Sequence, residues 1–173
     1  METRLQIRGE QVAGEGPALA VENPATEETV TELGTASPEQ LDAAIGAARE
    51  AAPGWAATPA VERAELLHEV ATRMRAMTDE LARVLTLEGG KPLIENSDEV
   101  GWTAAAFDYY AEMGRNFAGR VIPSIEATQL ALVVKEPTGV WGAIVPWNYP
   151  LHVHIETKIA PKEWWYPYAP PGA

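Results

Sequence analysis

Asn148 is the residue whose sequence context best suits it for chemistry. It follows the apolar run Val140 to Val145, and a short run of this kind predicts a strand buried on both faces of a parallel sheet. Gly139 and Pro146 bound that run. Open α/β sheets bind their ligands in the loops that follow the carboxyl ends of such strands. Because an asparagine amide can donate hydrogen bonds, we expect Asn148 to face a ligand.

The sequence Gly89-Gly90-Lys91 suggests a phosphate-binding loop, but its surroundings do not fit one. That loop needs a glycine five residues before Gly90 and a serine or threonine after the lysine. Leu85 and Pro92 stand at these two positions. The glycine pair is therefore interpreted as the end of a helix.

The composition is that of a folded globular chain with an excess of acids. Its 173 residues suit one domain, or one domain and part of another, and 46% of them are apolar. The balance of 13 Lys plus Arg against 25 Asp plus Glu gives a net charge of −12, which disfavours nucleic acid and anionic lipid as partners. The chain has no apolar stretch near the roughly 20 residues that span a bilayer, and residues 1–10 lack the apolar core of a signal peptide. We therefore predict a cytoplasmic protein that binds neither nucleic acid nor membranes.

Turn and cap signals predict a β-rich start, a helical middle and two later extended segments. The sequence Asn23-Pro24-Ala25-Thr26 favours the turn of a β-hairpin. Ser37 and Gln40 have the spacing of a capping box at the start of the first helix, and Pro53-Gly54 is expected to end it. The predicted helices are Ser37 to about Ala52, Pro59 to about Met77, Thr78 to about Glu88, and about Leu93 to Phe117; the extended segments are Val121 to Pro123 and Leu130 to Val134.

Six segments occur in an order that carries a specific resemblance. They are Asn23 to Glu27, Glu62-Arg63-Ala64, Leu87 to Leu93, Phe107 to Ala111, Lys135 to Val140, and Ile144 to Leu151. In this order they resemble the N-terminal part of the NAD(P)-dependent aldehyde dehydrogenase superfamily, over roughly residues 20–161. Any one of them would be weak evidence, whereas the set ending in Pro146-Trp147-Asn148-Tyr149-Pro150 is specific.

The resemblance implies an α/β fold with the organisation of that family's N-terminal region. A β-hairpin, four helices and an arm strand would precede the first strand of an incomplete Rossmann-like parallel sheet. Residues 1–120 would form the N-terminal strands and helical shell of the cofactor domain, and 121–137 a segment of the oligomerisation arm. Residues 138–161 would start the NAD(P)-binding sheet, and 162–173 resemble the family's C-terminal tail.

The resemblance also assigns roles to the opening stretch. Asn148 matches the residue whose amide helps to stabilise the oxyanion of a thiohemiacetal. The backbone of Ile144, Val145, Pro146 and Trp147 would line the site of the cofactor, NAD or NADP. One strand and its loop supply no phosphate cradle, so we expect weak or absent cofactor binding by this chain.

Two function classes follow from what the 173 residues contain. The family's reaction, NAD(P)-dependent oxidation of an aldehyde to a carboxylic acid, needs a Cys nucleophile and a Glu base, and the sequence has no Cys. After Pro161 the sequence also departs from the family pattern. We therefore expect a truncated or internally deleted member that does not oxidise aldehydes alone. The alternative is a non-catalytic interaction or oligomerisation module that associates with itself or with full-length relatives.

Three further features carry less weight. His152, His154 and Glu156 alternate and could bind a metal from one face of an extended segment, but the helix that the family places after Asn148 would separate them, so we predict no metal site. Trp164-Trp165-Tyr166 could dock to a partner or pack on the chain itself. His68 is a lone histidine on the polar face of a predicted helix and indicates no function.

Overall fold

A computed structural model describes residues 3–153, which form four helices and three two-stranded antiparallel sheets. The strands are β1 (Leu5–Ile7), β2 (Glu10–Val12), β3 (Ala18–Glu22), β4 (Thr29–Gly34), β5 (Arg120–Ile122) and β6 (Ala131–Val133). The helices are α1 (Pro38–Ala57), α2 (Ala60–Ala76), α3 (Thr78–Gly89) and α4 (Leu93–Asn116). A further helical turn covers 150–153. Within the described part of the chain, no helix is both long and apolar enough to cross a membrane.

The predicted hairpin at Asn23 is confirmed as the pair β3–β4. The strands pair antiparallel, with Leu19 opposite Leu33. The Asn23 side chain accepts a hydrogen bond from the amide of Ala25 at 2.9 Å, and its carbonyl accepts one from Glu27. This local bonding is what makes an Asn-Pro sequence a turn signal.

The predicted capping box of α1 is also confirmed, but the predicted end of that helix is wrong. The Ser37 hydroxyl accepts from the amide of Gln40, and the Gln40 side chain accepts from the amide of Ser37. The helix continues through Pro53 to Ala57. A proline in the last turns of a helix removes one backbone donor. The helix ends at Thr58, whose hydroxyl and amide both donate to the carbonyl of Gly54.

The core is a helical shell in which α4 packs against α2 and α3. Small side chains fill most of it, which allows close approach of the helix axes. Its buried apolar residues are Ala64 and Ala71 of α2, Ala82 and Leu85 of α3, and Val100, Ala104 and Ala111 of α4. Three polar residues, Asn96, Glu99 and Thr103, are buried on α4 with them.

The predicted strand Val140 to Val145 is not a strand in the structure. Residues 134–146 have no regular secondary structure, and Ile144 and Trp141 are exposed. A strand needs a neighbour for its backbone hydrogen bonds. Among residues 3–153 no strand pairs with this segment, so the apolar run remains unpaired. The predicted extended segment Leu130 to Val134 does contain a strand, because β6 lies within it and pairs with β5.

His68 has a structural role that its sequence context did not indicate. Its ring bridges two carboxylates of α4, with Nδ1 at 2.6 Å from Asp108 and Nε2 at 2.9 Å from Glu112. Hydrogen bonds to Asp108 and then Glu112 raise the pKa of His68. Partial burial acts to raise the pKa of Asp108, but the hydrogen bonds from His68 and Arg75 outweigh it and leave that pKa lowered.

We predict that His68→Gln removes a pH-dependent part of the stability of the α2–α4 contact. Because the folded-state pKa of His68 is raised, its contribution is full below its ordinary value of about 6.5 and is lost as the pH rises through the folded-state pKa. The free energy of unfolding in urea should therefore differ between wild type and variant at pH 6 more than at pH 9. The neighbouring variant Glu69→Gln should leave that dependence intact, and an unchanged pH profile in His68→Gln would contradict the assignment.

Candidate functional site

Asn148 lies in a cleft of about 550 Å³ between the 147–150 loop and the junction of α3 with α4. The loop contributes one wall and the helix junction the other. The lining residues are Val21, Leu85, Glu88, Gly89, Gly90, Lys91, Glu95, Asn96, Trp147, Asn148, Tyr149 and Pro150. The cleft thus joins two stretches that the sequence singled out separately, the glycine pair and the Pro-Trp-Asn-Tyr-Pro loop.

The floor of the cleft is shaped by the end of α3, where the glycine pair stops the helix as predicted. Gly90 is the C-terminal cap, in the left-handed conformation with φ of 73°. A Cβ on residue 90 would lie 2.6 Å from Cγ of Pro24 in the β3–β4 turn. Position 90 therefore requires glycine for both its backbone angle and its packing. This turn directs Lys91 toward the loop.

Lys91 joins the helix junction to the loop. Its Nζ forms an ion pair with Oε2 of Glu99 and donates to the main-chain carbonyl of Asn148 at 3.0 Å. The same Nζ lies 3.9 Å from the ring centre of Tyr149, a cation–π geometry. Trp102 of α4 is the next aromatic neighbour of Tyr149, with ring centres 6.2 Å apart.

Glu99, the partner of Lys91 in the ion pair, is fully buried and binds the residues that follow the loop. Its Oε1 accepts from the amide of Leu151 at 2.9 Å and from the amide of His152 at 3.4 Å. These amides belong to the first turn of the 150–153 helical segment, whose donors have no intrahelical partner. A carboxylate at this end of a helix also complements its dipole.

Two other polar residues complete the helix-junction wall. Asn96 is buried and donates from Nδ2 to the hydroxyl of Thr86 at 2.8 Å and to the carbonyl of Lys91 at 3.1 Å. These bonds fix the backbone from which the Lys91 side chain projects. Partial burial raises the pKa of Glu88 on the same wall.

The structure separates the predicted site residues into two groups. Trp147 and Asn148 line the cleft and are exposed, whereas Ile144, Val145 and Pro146 lie on the unpaired segment outside its lining. Lys91 and Glu99 were missed as partners of the loop. The sequence around Glu99 carried no signal of burial, because three of its four neighbours one turn away on α4 are polar: Glu95, Asn96, Trp102 and Thr103.

The alternating metal candidates fall partly outside the structure. His154 and Glu156 lie beyond the described residues, as does the aromatic cluster Trp164 to Tyr166. His152 belongs to the helical turn 150–153. Among residues 3–153, no cluster of His, Asp and Glu has the makings of a metal site.

Comparison with known proteins places these features in one family. The model of the aldehyde dehydrogenase family matches residues 12–162. Succinate-semialdehyde dehydrogenase (NADP+) GabD of Escherichia coli is 39% identical over 156 residues, which are 90% of this chain and 32% of the relative. The chain therefore spans about a third of the length of such relatives.

Solved structures of aldehyde dehydrogenases and related enzymes have the same fold over the matched region. An NADP-dependent enzyme of E. coli superposes with a TM-score of 0.86 at 36% identity, over 90% of this chain and 32% of that one. An NAD-dependent benzaldehyde dehydrogenase of Corynebacterium glutamicum gives 0.86 at 29% identity, over 90% and 34%. These superpositions confirm the predicted fold class.

We predict that Gly90→Ala destabilises the chain by at least about 1–2 kcal/mol, the cost of a left-handed residue with a Cβ, before the contact with Pro24 is counted. The matched variant Gly89→Ala places its Cβ in open space on the last helical residue, so it should be neutral or stabilising by up to about 1 kcal/mol. Urea unfolding of both variants at one pH measures the difference. Equal effects of the two substitutions would contradict the role assigned to position 90.

Proposed function

Because this chain belongs to the aldehyde dehydrogenase family, we propose that it supplies the oxyanion-stabilising part of an aldehyde-oxidising centre through the side chain of Asn148. The reaction of such a centre is NAD(P)-dependent oxidation of an aldehyde to a carboxylic acid. The observation that supports this most directly is the placement of Asn148. The residue is exposed and lines the cleft, while its backbone carbonyl accepts a hydrogen bond from Lys91.

The chemistry that this residue can perform is electrostatic. When a nucleophile adds to an aldehyde carbonyl, negative charge develops on the oxygen. A fixed amide N–H aimed at that oxygen stabilises the transition state more than the ground state, and one such donor contributes about 3 kcal/mol. A donor of this kind is effective only if it is already in place, so the anchored backbone of residue 148 supports the proposal.

The residues assigned to the cofactor do not form a cradle among the described residues. Ile144 is fully exposed and Trp147 is 84% exposed, on backbone that no strand pairs with. NADP and NAD appear in the names of the relatives. In this proposal Ile144 to Trp147 contribute one backbone wall of the dinucleotide site, and this chain alone binds the cofactor weakly or not at all.

These 173 residues lack the nucleophile that aldehyde oxidation requires. They contain no Cys, and aldehyde oxidation in this family needs a thiolate to form the thiohemiacetal. Asn148 then has no covalent intermediate to stabilise. We accordingly assign the chain one part of the centre and no aldehyde oxidation by itself.

A chimera tests the role of Asn148. With residues 12–162 replacing the matched segment of the E. coli succinate-semialdehyde dehydrogenase, succinate semialdehyde should be oxidised, and Asn148→Ala should lower kcat by about 10²–10³-fold with a smaller change in KM. Asn116→Ala makes the same substitution at an exposed position of α4 and should have no such effect. Unchanged kcat in Asn148→Ala would contradict the assigned role.

The 173-residue chain by itself is tested separately with aldehyde and NAD(P)+. Turnover above that of buffer would contradict its predicted inactivity, and micromolar cofactor binding by calorimetry would contradict its predicted weak binding.

A second function is favoured by the β5–β6 hairpin. Val121 and Leu132 lie opposite each other in its register, and they are 71% and 56% exposed. Leu130 and Val134 extend this apolar surface. Exposed apolar residues on a short two-stranded sheet favour pairing with another chain. We propose that the chain associates through this hairpin with itself or with full-length relatives.

Association through the hairpin predicts a specific effect of charge. The double variant Val121→Lys/Leu132→Lys should abolish self-association, or co-elution with the full-length E. coli relative, in size-exclusion chromatography. Leu66→Lys changes a similarly exposed leucine on α2 and should leave association intact. If the unmodified chain elutes as a monomer and does not co-elute with the relative, the interaction function is wrong.

A further inference from the structure

We propose that Lys91 and Glu99 are positioning residues for Asn148, and that they hold the 147–150 loop in place by charge instead of by strand pairing. The inference rests on the proposed role of Asn148 and adds the means by which its amide is kept in position. It concerns two residues that lie on the helical shell and not in the loop.

The charged pair makes several contacts within a short stretch of chain. Over residues 148–151, Lys91 binds the carbonyl of Asn148, the Lys91 ammonium group lies over the ring of Tyr149, and Glu99 accepts from the amide of Leu151. These contacts begin at the carbonyl of Asn148 and continue on its C-terminal side. They restrain the backbone there, while residue 148 itself is exposed and lines the cleft.

The hydrogen bonds of the charged pair are directed to the residues around the loop and not to the other helices that the structure describes. Apart from the ion pair that joins them, every hydrogen bond of the Lys91 ammonium and the Glu99 carboxylate to another described residue ends in 148–152. A pair that served only the helical shell would bond to α2 or α3. Since the 140–145 segment makes no strand pairs among the described residues, the charged pair is the main polar connection between loop and shell.

Burial makes the two charges of the pair depend on each other. Glu99 has no exposed side-chain surface and the side chain of Lys91 is 18% exposed, so both charges are largely removed from water. A buried carboxylate must use its acceptor sites, and here they are divided between the ammonium group and the two loop amides. Removing either charge therefore leaves the other without compensation and releases the loop.

The unmodified chain provides the first measurement. The ring of Tyr149 should shift the NMR signals of the Lys91 ε-methylene protons upfield, since Nζ lies 3.9 Å from the ring centre. Ordinary lysine shifts at residue 91 would overturn the proposal without the need for any variant.

Hydrogen exchange of single amides provides the second measurement. In Glu99→Gln and in Lys91→Met, the amides of Leu151 and Val153 should exchange at least about tenfold faster relative to those of Ala104 and Ala111 in the same sample. Glu95→Gln removes an acid from the same cleft wall but outside the charged pair, and should leave these ratios unchanged. If exchange at the loop and at α4 accelerates together, or at neither, the two residues are not positioning residues.

The positioning role can be tested even if Glu99→Gln does not fold, because Lys91→Met and the Lys91 chemical shifts of the unmodified chain test it independently. These measurements need no cofactor or aldehyde. A negative result in them would therefore contradict the positioning role without contradicting the catalytic role of Asn148. Asn148→Ala in this chain should leave the exchange of Leu151 unchanged, whereas in the chimera it should lower kcat.

Discussion

A carboxylate removed from water is the constraint on which the arrangement of this chain depends. Glu99 has no exposed surface and lies on α4, the helix that packs against α2 and α3. An unpaired charge there would cost several kcal/mol, so its partners must arrive in fixed places. The C-terminal cap at Gly90 brings in Lys91, and the helical turn after Pro150 brings in two amides. One buried charge thereby sets the relative positions of three chain segments.

Much of this fold could be predicted because its signals are local. The capping box of α1, the Asn23 turn and the glycine stop of α3 are each decided within a few residues, and all three appear in the structure. The two wrong predictions, the end of α1 and the strand at residues 140–145, could not be settled from a few neighbouring residues. α1 continues past Pro53 and ends where Thr58 caps the carbonyl of Gly54, and residues 140–145 are not a strand because a strand depends on a partner elsewhere.

The candidate site also contains residues that local sequence predicts and residues that only the tertiary structure reveals. The loop containing Asn148 could be found from its flanking prolines and the apolar run before it, and the cleft at that loop is present. Lys91 and Glu99 could not be assigned to it, because a charged residue on a helix is ordinarily a solvated one. The identity of their partners is a tertiary fact that no local pattern contains.

The polar contacts between loop and shell also span long stretches of chain. Lys91 and Asn148 are 57 residues apart, and Glu99 and Leu151 are 52 apart. The entropy of closing a loop grows only with the logarithm of its length, so that doubling the closed segment costs only about 0.6 kcal/mol. Most of that segment beyond α4 is the β5–β6 hairpin and irregular backbone. Insertions or deletions there can thus change the length of the chain at little thermodynamic cost while the two ends of the cleft still meet.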